Sequence, residues 1–176
     1  MSLEAIVLLG APGAGKGTMA EAIRGATGFV HVSTGNMLRE AIQSGSPVGH
    51  AAEAFMRRGA LVPDDLILSV VMERLDRGDP NGLYMFDGFP RTLEQARLLD
   101  AEFERRGARL RTVFLLDVSE AVSVDRLGGR RICARCGANY HVRNIPPKRE
   151  GVCDACGEKL SQRPDDAPAT VAKRLE

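Results

Sequence analysis

The sequence predicts an α/β fold, a parallel sheet flanked by helices, and three observations carry that expectation. Short, continuously apolar runs alternate with segments of helical composition over residues 1–128, the pattern of parallel strands buried on both faces. The first of these runs, "EAIVLL", ends on the glycine-rich "GAPGAGKGT" and leads into "MAEAIRGAT". Strand, glycine turn and helix thus follow one another as a phosphate-binding loop requires. Residues 130–165 then break the pattern with few large apolar side chains, all four cysteines and the turn-prone "NIPPK". That segment reads as a small insert without a hydrophobic core of its own.

Each element has its own signal. "EAIVLL" is the first buried strand, and the segment from Lys16 is a helix that ends near Gly25 and Gly28. "FVHVS" is the second strand. "TGNMLREAIQSG" is a helix with Ser33 and Thr34 expected as its caps and Gly45 near its stop. "PVGHAAEAFMRRG" is a helix ended by Gly59. "PDDLILSVVMERLDRG" opens on Pro63 with two acidic residues in its first turn and closes on Arg77 and Gly78, matching the preferences of helix ends. "GLYMFDGFP" supplies the third strand. "TLEQARLLDAEFERRG" supplies a helix with a capping box from Thr92 to Gln95. "RTVFLLDV" is the fourth strand and "SEAVSVDRLGGR" a helix weakened by its two glycines. No internal repeat interrupts this order.

Composition narrows the partners. With 24 basic and 23 acidic residues, the near-balance favours neither nucleic acid nor an acidic membrane surface. No apolar run approaches the roughly 18 residues of a membrane span. The start, "MSLEAIVLLG", carries Glu4 and no basic segment, so a cytoplasmic protein without a signal peptide is expected.

The loop departs from the ordinary G-x-x-x-x-G-K-[ST]. Gly10, Gly15 and Lys16 hold their places, but Gly17 stands where a hydroxyl would bind magnesium, and Thr18 comes one residue late. Glycines let backbone N–H groups face phosphate oxygens, and Lys16 adds a point charge. In "YMFDGFPRT", an apolar strand delivers Asp87 at its carboxyl end, where open α/β sheets bind ligands. A carboxylate there can hold magnesium through water and so stand in for the missing hydroxyl. Arg91, four residues on, can fork onto a phosphate; an ordinary surface arginine is the alternative. The cysteines are spaced C-x₂-C-x₁₆-C-x₂-C, at Cys133, Cys136, Cys153 and Cys156. Two such knuckles closing one tetrahedral site predict structural zinc, with no open position for catalysis. Unrelated thiols or two disulfides are the alternative. His141 then falls outside an already complete ligand set. Arg126, Arg130 and Arg131 precede the insert, and Arg163 and Arg174 follow it.

Taken together, "GAPGAGKGT", "STGNMLR", "DGFPRT-x-x-Q", "DR-x-x-G-R-R" and "QRPDD-x-x-x-T-V-x-x-RL" resemble the motifs of the adenylate kinase family, in its order, from Ile6 to Leu175. The cysteine insert resembles the zinc-bearing lid of the long bacterial forms. The resemblance implies a P-loop nucleoside monophosphate kinase-like fold. Residues 1–32, 63–128 and 167–176 would form the core, 33–62 an AMP-binding flap and 129–166 the lid. It implies the magnesium-dependent reaction ATP + AMP ⇌ 2 ADP. Gly13, Ala14, Gly15, Lys16, Gly17 and Thr18 would cradle the ATP phosphates, with Asn139 and Tyr140 contacting ATP from the closed lid. Thr34, Ala60, Leu61, Val62 and Gln95 would hold the adenosine of AMP, beside the segment Gly88, Phe89 and Pro90. Arg39 and Arg91 would grip the AMP phosphate. Arg126, Arg130, Arg163 and Arg174 would close on the polyphosphate, oriented by Asp165 and Asp166.

Two positions depart from the family: Asn36 where it more often has Asp, and Met19 where it usually has Gln. The family also continues past the "RL" motif with a fifth strand, a loop that touches the ATP base and a last helix. From this follow three expectations: an exposed sheet edge, a weakly held ATP adenine, and a monomer able to self-associate through that edge. Three other functions are open to such a sequence: a non-catalytic nucleotide-binding member of the same family, a P-loop hydrolase and a nucleic-acid-binding zinc ribbon. A hydrolase would need a residue placed to activate water. A nucleic-acid-binding ribbon would need positive charge and stacking aromatics, but the chain has two Tyr and no Trp.

Overall fold

Apolar residues of alternating direction on the central strands fix the architecture. The computed structural model describes residues 2–79 and 81–175, which fall into two compact units. One comprises the chain up to Gly10, Gly15–Met56 and Leu61–Asp117; the other comprises Ala11–Ala14, Arg57–Ala60 and Val118 onward.

In the first unit the chain runs β1 (Glu4–Gly10), α1 (Lys16–Ala26), β2 (Val30–Ser33), α2 (Thr34–Gln43), α3 (Pro47–Arg57), α4 (Asp64–Asp76), β3 (Leu83–Asp87), α5 (Leu93–Arg106) and β4 (Arg109–Leu116). The strands form one parallel sheet in the order β2-β3-β1-β4. Ala5 and Val7 of β1, Tyr84 and Phe86 of β3 and Val32 of β2 share a core with Leu38, Val71, Leu75, Leu99 and Phe103 from the helices. Ile6, Leu8 and Met85 form a second cluster with Ala20 of α1. Burial on both faces explains the unbroken apolar runs of β1 and β3. The register pairs Leu8 with Asp87 and Ser33 with Asp87, so β2 and β3 end level while β1 runs on to Gly10, and the loops after them share the carboxyl end of the sheet.

β4 departs from the two-sided burial that the sequence predicts. Val113, Phe114 and Leu115 are exposed, Leu115 at 70%. β4 lies at the end of the strand order, paired to β1 alone among the described residues.

Two capping expectations are refined. Ser33 occupies the N-cap of α2 but makes no side-chain cap bond. The Thr34 hydroxyl donates instead to Gly88 O at 2.9 Å, because β2 and β3 are adjacent and bring that carbonyl within reach. Thr92 does cap α5, accepting from Gln95 N at 3.0 Å. The return arm of the box goes to a different donor: Gln95 Oε1 accepts from Arg91 N at 2.7 Å.

The second unit runs α6 (Glu120–Gly129), β5 (Arg130–Cys133), β6 (Asn139–His141), β7 (Leu160–Ser161), a 3₁₀ turn (Pro164–Asp166) and α7 (Pro168–Leu175). Its strands make a small antiparallel sheet in the order β6-β5-β7. Its buried cluster is Cys133, Cys153 and Leu160, as sparse as the composition of the insert implies. α6 and α7 pack on one another and group with the insert in the second unit. Gly129 allows the close approach of β6, since a Cβ there would meet the His141 ring at 2.2 Å.

Candidate active site

Asp87 answers the puzzle of the loop. Its Oδ2 lies 3.8 Å from where a Gly17 side chain would begin. The carboxylate at the end of β3 therefore borders the very position at which an ordinary loop supplies its hydroxyl. Lys16, first residue of α1, donates from Nζ to Gly10 O at 2.6 Å, which folds the ammonium back over the loop. A residue that the sequence reading missed supports Asp87: His31 Nε2 lies 3.2 Å from Asp87 Oδ2, and its Nδ1 lies 3.7 Å from Glu21 Oε1. The signal was present, since His31 is the one polar residue inside the apolar "FVHV".

Beside these strand ends, Thr34 and Arg91 meet at Gly88 and Arg39 lies over Gly35. Thr34 is 1% exposed, with its hydroxyl on Gly88 O. Arg91 Nε donates to the same carbonyl at 2.8 Å. A Cβ at Gly88 would meet Arg91 Nη2 at 2.9 Å and Thr34 Oγ1 at 3.0 Å, so only glycine leaves room for both, and its φ of 82° suits glycine as well. Arg39 curls over Gly35, with Nη2 bonded to Asn36 Oδ1 at 2.6 Å. Asn36 thus supplies the oxygen that holds Arg39. Phe89 is fully buried, Pro90 partly so, and Val62 packs in the core. Leu61 and Met19 are exposed, and so is Ala60, which belongs to the second unit. Gln95 is 2% exposed, with its oxygen on Arg91 N and its Nε2 on Asp64 Oδ1 at 2.6 Å.

In the second unit, the loop segment Ala11–Ala14 is held from α6. Arg126 Nη1 donates to Ala14 O at 3.1 Å and approaches Gly13 O at 3.4 Å. Gly13 has φ 83°, and a Cβ there would lie 2.8 Å from Ser123 O. The loop is thus pressed against helix backbone, a second reason for glycine besides its conformation. Two aspartates organise the arginines. Arg130 grips Asp166 through Nε (2.8 Å) and Nη2 (2.5 Å). Arg174 Nη1 reaches Asp165 Oδ2 at 2.7 Å and Asp166 Oδ1 at 3.7 Å. Arg163 precedes the 3₁₀ turn that carries both carboxylates.

The four cysteine sulfurs lie within 4.8 Å of one another. Cys133–Cys156 is 3.4 Å, Cys136–Cys153 3.5 Å and Cys136–Cys156 3.6 Å. A tetrahedral site with metal–sulfur bonds of about 2.3 Å needs sulfurs about 3.8 Å apart, whereas a disulfide needs about 2.05 Å. The set fits one zinc. Each knuckle closes on a glycine of φ 75°, Gly137 or Gly157, whose N–H donates to the carbonyl of Cys133 or Cys153. The hydrogen bond from the Tyr140 hydroxyl holds Cys153 low, at about 6, against burial. Cys156 is pushed up to about 12: the backbone N–H of Glu158 favours its thiolate, but the Cys133 sulfur, burial and the other two cysteines together outweigh it. Crowded thiols that resist joint ionisation are the setting a dication relieves.

Tyr140, expected at ATP, has its hydroxyl committed to this cluster, accepting from Asp154 N at 2.8 Å; Asn139 is exposed. His141 stands outside the ligand set, as expected. Its Nδ1 accepts from the backbone N–H of Arg143 and Asn144, which assigns the ring proton to Nε2, facing Asp125 O at 3.3 Å.

A parallel sheet whose carboxyl ends carry a glycine loop, a lysine and an aspartate defines a P-loop nucleotide-binding protein. The family profile described as Adenylate kinase matches residues 8–176. The chain is 50% identical to the adenylate kinase of Moorella thermoacetica over 97% of its own length and 79% of that protein's. It is 45% identical to that of Clostridium tetani over 97% and 79%, and 46% identical to that of Carboxydothermus hydrogenoformans over 97% and 80%. The chain belongs to the adenylate kinase family.

Proposed function

We propose that this protein is an adenylate kinase that transfers a phosphoryl group reversibly from MgATP to AMP, giving two ADP. Family membership supports the reaction. The observation in the structure that supports it most is the placing of Asp87 beside Gly17 at the carboxyl end of the sheet, with Thr34 and Arg91 both bonded to the carbonyl of the next residue, Gly88.

The phosphate of AMP is ionised at neutral pH, so the attacking oxygen needs no base. The work of the site is then alignment and charge stabilisation. In this reading Gly13–Thr18 present N–H groups to the ATP phosphates, and Lys16 leaves the Gly10 carbonyl for the moving phosphoryl group. Arg39 and Arg91 fix the AMP phosphate in line. Arg126, Arg130, Arg163 and Arg174 balance the charge that builds up during transfer. Magnesium arrives with ATP and supplies further charge neutralisation, and Asp87 would hold it through water. Residues 33–62 act as a flap over AMP. Residues 129–166 act as a zinc-stiffened lid that excludes water, the rival acceptor. Thr34 and Gln95 select adenine over pyrimidines. The protein acts on free nucleotides in the cytoplasm, as a monomer, without nucleic acid or membrane. Among the described residues, no helix is long and apolar enough to cross a membrane.

ADP formation from ATP and AMP, followed in a coupled assay, tests the reading. Magnesium-dependent ADP production with AMP, and far less with UMP or CMP, is expected. Nucleotide binding without turnover would instead assign the non-catalytic alternative. ATP loss without AMP would assign a hydrolase.

A further inference from the structure

We infer that Asp64 is a specificity-determining positioning residue: it fixes which way round the Gln95 amide stands, and thereby which purine the acceptor site takes. The inference rests on the reading of AMP as acceptor.

Asp64 is the first residue of α4, and Gln95 lies in the first turn of α5. Two bonds join the two helix starts, one closes the cap of α5 and one ties in the loop before it. Gln95 Nε2 donates to Asp64 Oδ1 at 2.6 Å. Thr92 Oγ1 donates to Asp64 Oδ2 at 3.2 Å while accepting from Gln95 N at 3.0 Å. Arg91 N donates to Gln95 Oε1 at 2.7 Å. A carboxylate only accepts and a backbone N–H only donates. The amide therefore has one orientation: turned over, its oxygen would face a carboxylate and its NH₂ would face an N–H. At 2% exposure, Gln95 has almost no water with which to make good such a mismatch, so inversion leaves buried groups unpaired.

Two of the amide's bonding groups remain, the second N–H of Nε2 and the second lone pair of Oε1. Their arrangement is set before any nucleotide arrives. Adenine offers an amino donor at C6 beside the N1 acceptor, and hypoxanthine offers the reverse, an oxo acceptor beside an N1–H donor. An amide of fixed polarity can match one of these edges and must mismatch the other. Asp64 is a neutral bystander in no part of this chain: it is the end of each path, the only group in the network that accepts without donating.

Asp64→Asn removes that property. An asparagine amide can present either its oxygen or its NH₂ to Gln95, so of the two groups that fix the Gln95 amide only the Arg91 N–H still opposes its inversion. The readout is the ratio of kcat/KM for AMP to that for IMP, with ATP as donor. The wild type should prefer AMP by ~100-fold or more, since hydrogen-bonded sites reject mismatched edges strongly. In Asp64→Asn that ratio should fall at least tenfold, mainly through a gain with IMP. Asp64→Ala, measured by calorimetry of AMP and IMP binding, provides a second variant and should show the same loss of preference. A purely structural role would lower both substrates together and leave the ratio unchanged. An unchanged ratio in an AMP-active enzyme overturns this inference alone. A wild type that neither binds nor phosphorylates AMP overturns the proposed function, and this inference with it.

Discussion

Asp166→Asn is the most informative single change in the second unit. The Asp166 side chain is 0% exposed and faces two cations, Arg130 through a two-pronged contact at 2.8 and 2.5 Å and Arg174 at 3.7 Å. At separations near 4 Å and an effective dielectric constant of about 20, each attraction is worth about 4 kcal/mol before desolvation. Removing one member of a buried pair leaves the others uncompensated and costs about 3–5 kcal/mol. Asparagine keeps the volume but offers one acceptor where Arg130 presents two donors, so a loss of about 3 kcal/mol is expected. Asp165→Asn is the comparison: the Asp165 side chain is 17% exposed and binds Arg174 at 2.7 Å, and its loss should cost about 1 kcal/mol. Denaturant unfolding, with amide exchange resolved to residues 118–175, would place the loss in this unit. Turnover should fall with it, because Arg130 and Arg174 lose the contacts that aim them. If Asp166→Asn stays within about 0.5 kcal/mol of the wild type, the carboxylate does not anchor these arginines.

Three further outcomes are expected. Cys153→Ser should abolish stoichiometric zinc in metal analysis and lower the thermal midpoint, while a nucleotide analogue still binds the phosphate loop. Lys16→Ala should lower kcat by roughly 10²–10³ as a lost electrostatic donor, whereas Arg91→Ala should also raise KM for AMP; steady-state kinetics separates the two. Hydrogen bonds from Arg105 and Arg106 outweigh burial and hold the Glu102 carboxyl down at about 2. A depressed carboxyl stabilises the fold above its ordinary pKa of 4.5 and loses that contribution as pH falls toward 2. Thermal unfolding of wild type and Glu102→Gln should therefore differ at pH 6 and converge near pH 2.

The sequence carried far more of the fold than of the site's wiring, for a physical reason. Continuous apolar runs mark β1 and β3 because both faces of those strands are covered, and the signal is local. Glycines at loop and turn positions are equally local: Gly13 lies against the backbone of α6, Gly17 faces Asp87, and Gly88 is hemmed in by Arg91 and Thr34. The knuckle spacing fixed the metal ligands because each C-x-x-C closes on itself. β4 misled in one respect: "RTVFLL" has the composition of a buried strand, but composition cannot show whether a neighbour exists on either side.

Gln95 shows where such reading stops. Its place three residues after Thr92 correctly announced a helix start, and the family motif gave it to adenine. Neither could show that its amide is spoken for at both ends, since one partner, Asp64, lies 31 residues away on another helix. Asp64 itself looked like helix-start charge, a reading that accounts for Asp65 beside it but leaves the longer reach unseen. His31 was hidden in the same way: a strand that alternates apolar and polar residues needs no further explanation until β3 places Asp87 across from it. In all three cases the chemistry of the residue was legible and the partner was not. Sheet order and helix packing choose partners, and they join positions with no spacing in the chain to mark them. Residues that stand in motifs, such as Lys16 and Arg91, are therefore found early. Those that hold a motif residue in one orientation appear only when the directions of the hydrogen bonds are followed from donor to acceptor until they end, here on a carboxylate.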